Sequence, residues 1–166
     1  MEESEKTTRQ YVLEQLQTEV RRAADDPQGT TCPVCNRHVQ VYRRKMHSEM
    51  ALFLIKLVQA YTDDPRWYKT IELIRGDRHL RAGGTDGGFL KYWGLVERSD
   101  GTNRAGGKAG TYRPTAKGIR FAHNNEYVPT HVHLLNKEVV GWAYNQTNIR
   151  MVLGNKFDYA ELMRGY

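Results

Sequence analysis

Apolar positions fall into one continuous block and several short stripes. Between Met46 and Tyr61, the residues Met50, Phe53, Leu54, Leu57, Val58 and Tyr61 cover one broad helical face. Ala51, Leu52 and Ile55 leave little polar surface elsewhere, and a helix so nearly apolar all round is buried on several sides. This segment is the expected hub of the fold. Upstream, Ser4–Ala24 reads as an amphipathic helix. Leu13, Leu16, Val20 and Ala23 form its stripe, widened by Tyr11 and Val12, with Glu14, Gln17, Arg21 and Arg22 opposite. Asp25-Asp26-Pro27 ends it. After the hub, Asp63-Asp64-Pro65 predicts the start of a short helix carrying Trp67, Ile71 and Ile74 and ending near Gly76. Residues 77–84 then read as a loop with Arg78 and Arg81 at its surface.

The stretch from Thr85 to His123 predicts a helix, two strands and a second helix. Thr85 and Asp86 supply N-cap chemistry, Phe89, Leu90 and Trp93 an apolar face, and Gly94 the left-handed residue that stops the helix. Leu95–Arg98 and Gly110–Arg113 read as paired strands. The glycine-rich segment between them, SDGTNRAGGKAG, has no large apolar residue and is expected to be an exposed, mobile loop. Pro114 closes the second strand and Thr115 caps the next helix. Beyond Asn125, residues 130–144 read as a hairpin turning at Asn136-Lys137, with His131 and His133 on one face by the two-residue period. Asn148–Leu153 and Phe157–Met163 follow as short helices separated by Gly154.

Gly110, Tyr112, Thr115, Gly118 and Phe121 form a Gly-x-Tyr-x-x-Thr-x-x-Gly-x-x-Phe pattern. It resembles the passage from wing to final helix in winged-helix regulators, and the resemblance covers roughly residues 46–125. The whole chain is also similar to small phage-encoded proteins that join a CPxC knuckle to a KYWGL-like segment, here Lys91–Leu95, a likeness that implies a fold and no activity. The expected class is therefore α+β: a winged helix over residues 46–125, preceded by an N-terminal helix (1–27) and a CPxC hairpin (28–45). A C-terminal hairpin with short helices (126–166) follows, packed on the winged domain. In this layout Thr85–Trp93 is the third helix, which DNA-binding relatives place in the major groove. Asp86, Gly87 and Gly88 leave Lys91 as its only cation, so base reading by it is expected to be thin.

Charge is distributed unevenly. The net is +6. Residues 31–62 hold five basic and one acidic side chain, and residues 98–125 hold six and one, while the remaining segments are balanced or acidic. Clustered cations on projecting hairpins suit phosphate binding, or else keep two solvated hairpins soluble. The candidates are Arg98, Arg104, Lys108 and Arg113 on the proposed wing, Lys91 on the third helix, and Arg43, Arg44 and Lys45 beyond the cysteines. The wing cations have no evident structural task in the sequence.

Cys32-Pro33-Val34-Cys35 is a zinc-knuckle signature: two thiolates leave one tight turn that proline stiffens. Structural zinc needs four ligands, and the chain has only two cysteines. His47, at the start of the hub helix, is the preferred third donor. His38 is nearest but leaves the knuckle on a strand that can point it away, and His79, His123, His131 and His133 are distant. A metal-free pair of thiols or a redox pair are the rival readings.

Absence of a Walker A loop, an HExxH helix or a G-x-S-x-G elbow argues against an enzyme, a metal-dependent nuclease being the residual enzymatic alternative. No apolar run approaches the ~20 residues of a membrane span, the first residues do not resemble a signal peptide, and a cytoplasmic location is expected. The expected partner is duplex DNA, bound mainly through phosphates. The alternative is a phage interaction module that docks on a host protein complex. The N-terminal helix either packs on the domain or pairs with a copy of itself. Pairing is preferred, because winged-helix proteins often dimerise through flanking helices.

Overall fold

The computed structural model describes residues 8–80, 86–102 and 108–164. In chain order its elements begin with α1 Thr8–Ala24, β1 Thr30–Thr31, β2 His38–Val39, β3 Tyr42–Lys45, α2 Ser48–Asp63, β4 Tyr68–Lys69 and α3 Thr70–Ile74. A 3-10 helix Asp86–Trp93, β5 Val96–Thr102, β6 Lys108–Pro114, α4 Ala116–Ala122, β7 Val128–Pro129 and β8 His131–Leu135 follow. Then come β9 Glu138–Trp142, β10 Gln146–Thr147, α5 Ile149–Leu153, a second 3-10 turn Gly154–Lys156 and α6 Tyr159–Met163. The class is α+β, with small antiparallel sheets among the helices. Two units can be separated: residues 1–44 with 133–141, and residues 45–132 with 142–166.

The larger unit is built on α2, whose residues Met50–Ile55, Leu57 and Val58 are all buried. The helix runs two residues beyond Tyr61, so Pro65 lies in the turn after it rather than opening a new helix. Tyr68 explains why the chain turns there. Its hydroxyl, with a single proton to donate, lies 2.8 Å from the Ala60 carbonyl and 2.7 Å from that of Asp64, just past the end of α2. Tyr68 and Lys69 form a short strand that pairs with Tyr112 and Thr111, giving a sheet in the order β4-β6-β5. The strands of the β5–β6 hairpin are longer than the sequence suggests. Their ladder runs from Val96↔Pro114 to Thr102↔Lys108, so most of the expected loop is paired strand and residues 103–107 lie outside the described residues.

Packing under the hairpin depends on two glycines. A Cβ on Gly87 would stand 2.4 Å from the Phe53 ring, and one on Gly118 would stand 1.9 Å from the Leu95 carbonyl. The bare backbones let the 3-10 helix lie on α2 and α4 lie against the start of β5. Tyr112 meets Phe53 edge-on at 5.7 Å, Leu90 and Trp93 are buried, and Trp93 Nε1 donates to the Pro129 carbonyl at 2.7 Å. Gly94 stops the 3-10 helix at φ +69°. Thr115 caps α4, its hydroxyl accepting from Gly118 N and donating to the Gly94 carbonyl. Lys56 and Asp77 form a partly buried ion pair in what reads as a surface loop.

The smaller unit has a modest core of Ala24, Val41 and Leu135, with Val39 packed on it. It contains the two-residue ladder β1–β2 and a sheet in the order β3-β8-β9. Asn136 and Lys137 form the β8–β9 turn with φ +51° and +67°, the paired left-handed conformation of a tight hairpin turn. Within α1 the expected stripe shifts: Ala24 rather than Ala23 is buried, Leu16 and Val20 are half-buried, and Tyr11, Val12 and Leu13 are exposed.

Candidate nucleic-acid interface and metal centre

Strand register decides which hairpin cations act together. Glu97 lies opposite Arg113, and Arg98 opposite Tyr112. By the two-residue period, Arg98 shares a face with the strand position of Lys108, and Arg113 takes the other face with Glu97. Arg113 donates from Nε to Glu97 Oε2, and its guanidinium lies 4.6 Å from the centre of the Trp67 ring. The expectation that the wing cations lack a structural task therefore fails for Arg113: it is a cross-strand ion pair stacked on an aromatic ring. Arg98 folds over Gly110, where a Cβ would stand 2.7 Å from its Nε. Arg104 and the Lys108 side chain lie outside the described residues.

The segment read as a third helix is a tight 3-10 helix, because Gly87 brings its backbone against Phe53. Asp86 Oδ2 lies 3.2 Å from His47 Nε2, so its carboxylate is tied to the N-terminal end of α2. Lys91 is exposed, with Nζ 5.0 Å from the centre of the Tyr92 ring. Few groups remain on this element for reading bases.

In the smaller unit, Cys32 and Cys35 occupy the turn between β1 and β2. Cys32 N donates to the Arg37 carbonyl at 2.8 Å, Asn36 N donates to the Cys32 carbonyl at 2.9 Å, and Asn36 takes φ +56°. That backbone curls around the first sulfur. The Cys32 thiol is pushed below its usual range by the backbone N–H of Cys35, then that of Val34 and the Cys35 thiol. N–H groups aimed at a sulfur favour the thiolate, the form that binds metal. The turn suits two metal ligands, and both thiols are at least partly accessible.

Within the smaller unit, neither His38 nor His133 forms a three-donor group with the two cysteines among the described residues. All six histidines and both cysteines are among the described residues, and no three His, Cys, Asp or Glu side chains come together there. His38 leans over Gly29, its Cε1 2.9 Å from where a Cβ would stand, toward the open end of the hairpin. His47 belongs to the larger unit and faces Asp86. His79 packs edge-on against Phe157, and His131 Nδ1 lies 3.0 Å from the Thr130 hydroxyl. His133 packs beside Gly141, and His123 caps α4.

Compared with known protein families, curated proteins and solved structures, the chain matches none. The sites therefore rest on their own geometry. Arg43 donates to Asp25 Oδ1 at 3.2 Å, Arg44 is half-buried and Lys45 is exposed. Partners that the sequence reading passed over are Glu97, Trp67, Asp86 and Asp25. The first two follow once the sheet register is fixed, whereas the Asp86–His47 contact spans 39 residues and has no local signal.

Proposed function

We propose that residues 46–125 form a winged-helix domain that binds duplex DNA mainly through phosphate contacts of its β5–β6 wing. The observation that carries this reading is the succession α2, β4, α3, 3-10 helix, β5, β6 with sheet order β4-β6-β5. That order, with the β5–β6 hairpin packed on a helical core, supports the reading. Residues 98–125 hold six basic side chains and one acidic one, in agreement with a phosphate-facing surface. With Asp86 tied to His47 and Gly87 packed on Phe53, base reading is slight and affinity depends little on sequence. The protein is not an enzyme in this reading. It is a small phage or bacterial regulator working in the cytoplasm. Fluorescence anisotropy with several unrelated duplexes tests the proposal. Comparable affinities that all weaken with salt are expected, and no binding at low salt would overturn it.

A second reading, a module that docks on a host protein, is favoured by the aromatic side chains left in solvent. Tyr144 is 99% exposed, Tyr127 60% and Trp142 42%. Capture of a host protein that survives nuclease treatment, together with an absence of duplex binding, would select it.

A further inference from the structure

The knuckle presents half of a metal site. Tetrahedral structural zinc is closed by four ligands, yet the turn offers two sulfurs and His38 leans the other way along the hairpin. Among the described residues of the smaller unit no third donor joins the pair, and a second molecule can supply the remaining ligands. The apex leaves room for one: Val34 is 67% exposed, Cys35 is exposed, and so are Pro33, Asn36 and Arg37 around it. The simplest source is a second knuckle. A two-fold axis through the metal makes the two half-sites identical, and a pair of Cys-x-x-Cys turns supplies four thiolates.

We propose that Cys32 and Cys35 from two copies of this chain close a single tetrathiolate zinc and so join the copies. Two further features of the smaller unit fit a second copy. Four thiolates on one Zn²⁺ carry a net charge of −2, and the exposed Arg37 of each copy, within the same turn, offsets it. In α1 the apolar stripe loses its cover toward the N-terminal end, with Leu13 43%, Val12 48% and Tyr11 59% exposed. An exposed apolar stripe of this kind is a surface that a helix of a second copy can cover. Binding is redox-neutral: each thiol gives its proton to solvent as its sulfur joins the metal. The inference does not depend on duplex binding.

The test is zinc titration of the full chain, kept reduced with a phosphine, while mass is followed by light scattering and bound metal by elemental analysis. Half an equivalent of zinc per chain, a doubling of mass on zinc addition and its reversal by EDTA are expected. Cys32→Ser and Cys35→Ser should each abolish both changes, whereas His38→Ala and His47→Ala should leave the stoichiometry alone. Should the cysteine variants fold poorly, the titration and its reversal on the unaltered chain still decide. One zinc per monomeric chain, zinc uptake without a change of mass, a dimer that ignores EDTA, or no uptake would each overturn the proposal.

Discussion

The chain carries two hairpins held in different ways. The β5–β6 hairpin is a ladder of seven residue pairs. Tyr112 rests on Phe53, and Arg113 is clamped between Glu97 and Trp67. The β1–β2 hairpin has a ladder of two pairs, closed by the bonds around Cys32 and Asn36. A short two-stranded hairpin is marginal in water. The first hairpin gets its shape from the core beneath it, and the second has a shape that a bound metal would complete.

The largest expected effect comes from removing the support under the first hairpin. Trp93→Ala deletes a buried ring and its hydrogen bond to Pro129, and should cost about 3–5 kcal/mol in the larger unit. Chemical denaturation reads this, and hydrogen exchange should show the β5–β6 amides losing protection with it. An unchanged midpoint would mean that the hairpin does not depend on this core.

Next comes the Lys56–Asp77 pair. Burial opposes ionisation of Asp77, but the hydrogen bond from Lys56, with the N–H groups of His79 and Leu80, outweighs it and holds the carboxyl below its ordinary value. A carboxyl lowered on folding adds stability above its unfolded pKa, about 4, and that stability is lost as pH falls through the folded value. Asp77→Ala should cost about 1–3 kcal/mol near neutral pH, below the range for a fully buried pair because both residues are only partly buried. The gap between variant and wild type should close below about pH 4. A gap unchanged in acid would contradict the pairing.

A smaller, local effect sharpens the contrast. In protein first loaded with zinc, EDTA should raise amide exchange in residues 30–39 and leave the β5–β6 ladder unaffected. Equal loosening of both hairpins would erase the distinction drawn here. The smallest change is Arg113→Ala. The guanidinium and its partner Glu97 are both partly exposed, so the cost should be at most about 1 kcal/mol by thermal melting. A larger loss would make this pair a principal support of the hairpin.

What the sequence made legible was local. The all-round apolar block predicted α2, Gly94 and Thr115 marked a stop and a start, and Asn136-Lys137 marked a turn. Each follows from a rule acting over a few residues. The misses involve contacts between distant positions. Two residues make β4 a strand only because β6 lies beside them. Ser99–Thr102 has weak strand propensity and joins the ladder through its partner. The tight 3-10 helix reflects the approach of Gly87 to Phe53, which composition alone presents as two flexible glycines. At the candidate sites, the CPxC turn was legible as a pair of donors. That Arg113 and Asp86 were already engaged was not, since Glu97 and His47 become their neighbours only after folding.

The measurement that bears most directly on the nucleic-acid reading is the salt dependence of duplex affinity for wild type and for the Arg104→Ala, Lys108→Ala double variant. Each phosphate contact contributes roughly 0.9 to the slope of log K against log salt, so losing two should flatten it by about 1.8. The account predicts that flattening, with weaker binding to every duplex alike. Tight duplex binding with the same slope in the double variant would contradict it.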